Sequence, residues 1–102
     1  MPAYSPLTNT QQASLFKNIS ASTLIDTGFG NVQAIVINSH SSGIIKIWDS
    51  LTASGTVMFD QMTLSTVATT GERWIPLFGA EFVTGLYIQL VSGTANLTVI
   101  WN

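Results

Sequence analysis

Cysteine is absent from this sequence. That excludes disulfide staples, thiolate zinc sites and cysteine nucleophiles, and it leaves packing and hydrogen bonds to hold the fold. Charge is almost as scarce: acidic and basic side chains make up 8% of the chain, against about 25% in ordinary globular domains. The basic residues are Lys17, Lys46 and Arg73, dispersed along the sequence. Phosphate neutralisation needs several cations gathered on one face, and an anionic membrane asks for the same, so neither nucleic acid nor membrane is expected as a partner. No apolar run approaches the roughly 20 residues that span a bilayer. The opening Met1-Pro2-Ala3-Tyr4-Ser5-Pro6 has neither the basic region nor the apolar core of a signal peptide. The chain is therefore expected to act where it is synthesised, or on a particle assembled there. Helix signals are also missing: no capped stretch keeps apolar residues at i, i+3, i+4 and i+7 over three turns. The weak exceptions are a helix start at Gln11–Phe16 and a single turn at Leu51–Ala53.

What is present fits one domain. A chain of 102 residues buries about two thirds of its unfolded surface, enough for one core and no second domain. Apolar content is an ordinary 46%, so Ser, Thr, Asn and Gln have taken the place of the missing charges. With a net charge of −2, self-repulsion is weak, and identical copies can approach closely.

Short windows rich in β-branched and aromatic residues follow one another. The predicted strands are Ser14–Ser20, Thr23–Asp26, Val32–Asn38, Gly43–Asp49, Thr56–Leu64, Arg73–Leu77, Leu86–Val91 and Ala95–Trp101. Between them lie clusters with turn chemistry: Thr27–Asn31, Ser39–Gly43, Ala53–Gly55, Thr69–Glu72 and Ser92–Thr94. Turn signals spaced near 8–12 residues are those of a sandwich or barrel. Ahead of the strands, residues 1–12 carry Pro2 and Pro6, which bias the chain to extended geometry. They read as an extended arm or a disordered tail.

Alternation sorts the side chains. Val32, Ala34 and Val36 oppose Gln33, Ile35 and Ile37. Ile45 and Ile47 oppose Ile44, Lys46 and Trp48. Leu86, Ile88 and Leu90 oppose Tyr87, Gln89 and Val91, and Leu97, Val99 and Trp101 oppose Thr98, Ile100 and Asn102. One face of each strand is core. The other is only partly polar, whereas a lone two-layer domain would show a cleaner polar exterior. The surplus of outward apolar residues points to self-association or docking, although scattered surface apolar residues are common. The candidate interface residues are Tyr4, Leu7, Phe16, Trp48, Trp74 and Tyr87.

Catalytic chemistry finds little support. The one histidine, His40, sits in the polar cluster Ser39–Gly43 and reads as an exposed loop residue; no Gly-x-Ser-x-Gly elbow surrounds Ser41. The acids Asp26, Asp49, Glu72 and Glu81 fall at expected strand ends or turns, where carboxylates cap or solvate. Asp60 lies inside a strand and should face outward, in reach of Lys46 or Lys17 on a neighbouring strand. No oxygen-ligand calcium loop or phosphate-cradling glycine loop is present, so no metal or cofactor is expected and the chain does not read as an enzyme. Asn18-Ile19-Ser20 and Asn96-Leu97-Thr98 match the glycosylation sequon, by chance in a chain without a secretion signal. Trp48, Trp74 and Trp101 could stack on sugar rings, or serve packing and interfaces, where Trp is energetically dominant. Trp74, after Glu72-Arg73 and before Pro76, is the one expected to be exposed.

The run Ser42-Gly43-Ile44-Ile45-Lys46-Ile47-Trp48-Asp49-Ser50, followed by Thr52-Ala53-Ser54-Gly55-Thr56-Val57, and the ending from Gly85 to Trp101 with its Ser92-Gly93-Thr94-Ala95 turn resemble small β-sandwich proteins encoded among the structural genes of tailed bacteriophages. The resemblance covers residues 30–102 and rests on turn-and-strand motifs; residues 1–25 match no family. It implies a virion component, such as a decoration or cement protein that stabilises a capsid, and brings no catalytic residues with it. The resulting expectation is an antiparallel β-sandwich of about eight strands, jelly-roll-like. It would self-associate, as a trimer by preference, and dock on the major capsid protein or another virion protein, with residues 1–12 gripping a neighbour's sheet edge. A carbohydrate-binding, lectin-like module is the alternative.

Overall fold

The computed structural model describes residues 14–67 and 73–102. The arm expected at residues 1–12, with its interface candidates Tyr4 and Leu7, lies outside them, as does the whole Thr69–Glu72 turn. The described chain is all-β and antiparallel. Six strands follow in order: β1 (Leu15–Ile19), β2 (Thr23–Thr27), β3 (Gly30–Asp49), β4 (Thr56–Thr63), β5 (Trp74–Phe82) and β6 (Gly85–Trp101). A single helical turn, α1 (Leu64–Val67), follows β4. The turn expected at Leu51–Ala53 is not helical, and Leu15 and Phe16, placed at the end of a possible helix start, pair in β1 instead.

The eight predicted windows become six strands because two of the predicted turns do not interrupt strand pairing. Val32–Asn38 and Gly43–Asp49 are both parts of β3, and Leu86–Val91 and Ala95–Trp101 are both parts of β6. These long strands run antiparallel along most of their length, from Val32 opposite Trp101 to Trp48 opposite Tyr87. The Ser39–Gly43 and Ser92–Thr94 clusters lie side by side in that ladder, with His40 opposite Ala95 and Ser41 opposite Thr94. His40 is thus a half-buried strand residue rather than an exposed loop residue, and its Nδ1 accepts from the Gly43 N–H at 3.5 Å. Two strands that bend together at one place crease the sheet instead of ending it.

The crease is sharp. Straight, the 20 residues of β3 would span about 60 Å. Yet its first residue, Gly30, pairs with Phe82, and its last, Asp49, accepts the N–H of Val83, the next residue along, at 3.0 Å. Both ends of β3 therefore meet one short segment, and the strand must double back. The ends of β6 meet likewise, through β2: Asp26 pairs with Leu86 and accepts the Trp101 indole N–H at 3.0 Å. Ser42 (φ 53°) and Gly93 (φ 75°) take left-handed backbone at the bend, and the register slips between Ser41 and Ile44.

Folding over makes two four-stranded halves that share β3 and β6. The first half runs β1, the C-terminal part of β6, the N-terminal part of β3, then β5. The second runs β2, the N-terminal part of β6, the C-terminal part of β3, then β4. One core cluster takes residues from both, with Val32, Ile35, Ile45, Ile47, Leu86 and Val99 among its fully covered members. Leu64 of α1 is also fully buried and adjoins Gly43 at the crease. The inward sets in the C-terminal part of β3 and in both parts of β6 follow the alternation read from the sequence. In the N-terminal part of β3 the phase changes: Val32 joins Ile35 and Ile37 inside. The cause is a bulge on β3 itself: Val32 opposes Trp101 and Ala34 opposes Ile100, so Gln33 is an extra residue against β6. On the other side β5 carries extra length of its own between Pro76 and Ala80, where Phe78 and Gly79 take positive φ. β5 also runs on past the predicted Leu77 to Phe82. It pairs only with β3, and an edge strand tolerates Pro76.

Candidate functional site

Residues paired across a sheet point to the same side, so the register maps each outer face. On the second half, Leu24 pairs with Tyr87, Tyr87 with Trp48, and Trp48 with Val57. An apolar row thus crosses all four strands, with Leu24 and Val57 each 38% exposed at its ends and Tyr87 and Trp48 half-buried between them. The neighbouring row holds Gln89 opposite Lys46. Trp48 is fixed from two directions: its indole N–H donates to Gln89 Oε1 at 3.0 Å, and the Lys46 ammonium sits 5.3 Å from its ring centroid. Lys46 in turn pairs with Asp60 at 3.3 Å, one of the two partners that strand parity allowed.

The first half has a different exterior. Phe16 pairs with Ile100, Ile100 with Ala34, and Ala34 with Pro76. The next row is Asn18, Thr98, Val36 and Trp74. Trp74 is 46% exposed, as its sequence context predicted, and Phe16 is 77% exposed. Beside this row three asparagines knit together. Asn18 donates to Asn96 Oδ1 at 2.9 Å, and Asn38 donates to Asn96 Oδ1 and to Thr98 Oγ1, both at 3.0 Å. Neither of these two rows contains a charged residue.

The four described interface candidates therefore separate, Phe16 and Trp74 on one outer face and Trp48 and Tyr87 on the other. Sequence reasoning missed Leu24 and Val57, which complete the Trp48 row, and the Asn18–Asn38–Asn96–Thr98 cluster. Asn18 and Asn96 drew notice only as sequons, and only the register shows that strands far apart in sequence bring them together.

Two of the described carboxylates, Asp49 and Asp26, serve as fasteners. Asp49 accepts N–H groups from Val83, Thr84 (2.8 Å) and Gly85 (3.4 Å), so it caps the turn between β5 and β6. Partial burial pushes its carboxyl up, but the amides of Thr84, Val83 and Gly85 outweigh this and hold it below the usual aspartate value. Asp26 ties β2 to Trp101, whose indole is almost fully buried. Among the described residues no three His, Asp or Glu side chains gather as a metal site. A small cavity at the crease, lined by Ile19, Ile88, Leu90, Ala95 and Leu97 among others, has about 10 Å³ of free space, room for one water at most.

No family model matches the chain, and no curated protein matches it.

Proposed function

We propose that this chain is a structural protein of a virus particle, a small β-sandwich that self-associates and docks on a capsid lattice to stabilise it. The observation that carries the reading is the Leu24–Tyr87–Trp48–Val57 row. It crosses four strands, about 14 Å of surface, and presents a rigid, aromatic centre. Trp and Tyr are side chains that dominate association energies, and Trp48, held by Gln89 and Lys46, loses little rotamer freedom on binding. The scarcity of charge over the whole chain favours copies packing against each other, and a trimer would suit the three-fold positions of a capsid lattice. The resemblance of residues 30–102 to phage structural proteins supplies the particle.

Light scattering of the purified protein over a range of concentrations tests the association. A stable trimer that becomes a monomer in Trp48→Ala supports the reading. A strict monomer at every concentration that also fails to bind capsids overturns it. A second reading, a carbohydrate-binding module, is favoured by one observation: Trp74 is half exposed on the other outer face.

A further inference from the structure

We infer that the outer face of the first half carries a binding site for an uncharged saccharide, formed by Trp74 with the amide cluster Asn18, Asn38, Asn96 and Thr98. The register places Trp74 beside Val36 and Val36 beside Thr98, so the indole and the polar cluster stand two strand spacings apart, about 10 Å, on one side of the sheet. Val36 lies between them as a low apolar floor. A sugar ring has this dual character: C–H faces that bury on an aromatic surface and hydroxyls at its rim that both donate and accept.

The cluster offers both kinds of partner. Thr98 Oγ1 accepts from Asn38 and, at 3.4 Å, from Asn18, which leaves its hydroxyl hydrogen to donate. Asn96 Oδ1 is taken up by Asn18 and Asn38, and its amide nitrogen donates to Asn18 Oδ1 at 3.4 Å, with a second N–H to spare. Asn38 uses its nitrogen within the cluster, so its Oδ1 is available as an acceptor. A hydroxyl bound here would meet both donors and an acceptor already fixed by one another, so little ordering entropy is lost on binding. The ligand should be neutral, because these residues provide no charge to complement a sialic acid, sulfate or phosphate. The other aromatic face is poorer for stacking, since Lys46 lies over the Trp48 ring and Gln89 holds its N–H.

The inference stands apart from the virion role, because the Trp48 row and the Trp74 site are on different faces and can be altered separately. The experiment is a glycan array of neutral and acidic oligosaccharides, followed by ¹H–¹⁵N titration of the native protein with the best neutral binders. We expect at least one neutral saccharide to bind and to shift the Trp74 indole and the Asn38 and Asn96 side-chain amide signals. Trp74→Ala and Asn38→Ala should each weaken binding by about tenfold or more, while Trp48→Ala leaves it unchanged. Trp74 is exposed on an edge strand, so its removal spares the core, and the amide spectrum of each variant confirms its fold. Binding of acidic glycans alone, no saccharide binding, or binding that survives both substitutions overturns the site. Loss of binding with an unchanged oligomer separates this inference from the structural one.

Discussion

The two halves of the folded sheet are built on one plan and finished in two ways. Each has four antiparallel strands, and each takes its middle pair from the same two long strands. Their inner faces are alike, because they meet in one core. Their outer faces differ in what restrains the aromatics. On the second half Trp48 is bonded to Gln89 and covered by Lys46, which Asp60 holds in turn. On the first, Trp74 stands half exposed beside asparagines that bond to one another. A fixed indole suits a flat contact with a large rigid partner, and an open one beside ready amides suits a small polyhydroxylated ligand. The core therefore does not distinguish the two faces; the outward residues do.

The most damaging change should be at the crease that creates the two halves. Gly93 has φ 75°, and a Cβ added there would collide with the carbonyl oxygens of Ser41 and Ser42 on the adjoining strand. Gly93→Ala thus combines backbone strain with a clash that only separation of β3 and β6 can relieve. A loss of about 3 kcal/mol or more is expected, read by chemical denaturation. A loss below about 1 kcal/mol, the ordinary cost of a mild backbone mismatch, would show that the crease is not a strict requirement of the fold.

A smaller effect, with a pH signature, is expected where the end of β3 in the second half is fastened to the end of β5 in the first. Asp49 holds Val83, Thr84 and Gly85 through their N–H groups, and its carboxyl titrates below the usual aspartate value. The unfolded chain therefore binds a proton more readily than the folded one in acid. The contribution of Asp49 is fully present above its unfolded pKa of about 3.9 and is lost as pH falls from there through the lower folded value. Asp49→Asn should cost about 2 kcal/mol at neutral pH, less in acid, and should flatten this part of the stability–pH curve. An equal loss at every pH would mean that side-chain shape, not charge, makes the fastening.

Much of this arrangement is legible in the sequence because a strand has a period of two. Ile45, Ile47, Leu86, Ile88, Leu97 and Val99 alternate, and all are buried. Reading failed where the deciding information lies on a neighbouring strand. Val32 faces inward with Ile35 because β3 has one residue more than β6 between Val32 and Ala34, which oppose Trp101 and Ile100, and nothing in Val32–Asn38 itself announces that slip. Ser39–Gly43 has the composition of a reversing turn, yet it passes through the bend in strand form because Ser92–Thr94 bends beside it. The acids are a clearer case. Asp49 after Trp48 was readable as a cap, whereas the Asp26 contact to Trp101 joins residues 75 apart in sequence. The described aromatic candidates lie on outer faces, and their division between two faces depends on the crease.

The smallest effect concerns the one salt bridge found among the described residues. Lys46 and Asp60 meet at 3.3 Å, but the Asp60 side chain is 65% exposed, so solvent screens the pair. A double-mutant cycle with Lys46→Met and Asp60→Asn should give a coupling of about 0.5 kcal/mol or less, falling further at high salt. If its worth is small for stability, its role lies in holding the ammonium over Trp48. Asp60→Asn should then free Lys46 and loosen the Trp48 ring, seen as broadened indole signals, and weaken self-association more than it lowers stability. The double variant makes the second face as neutral as the first. If its Trp48 then begins to bind a neutral saccharide found to bind at Trp74, charge alone separates the faces. If it does not, the asparagine cluster is the difference that matters.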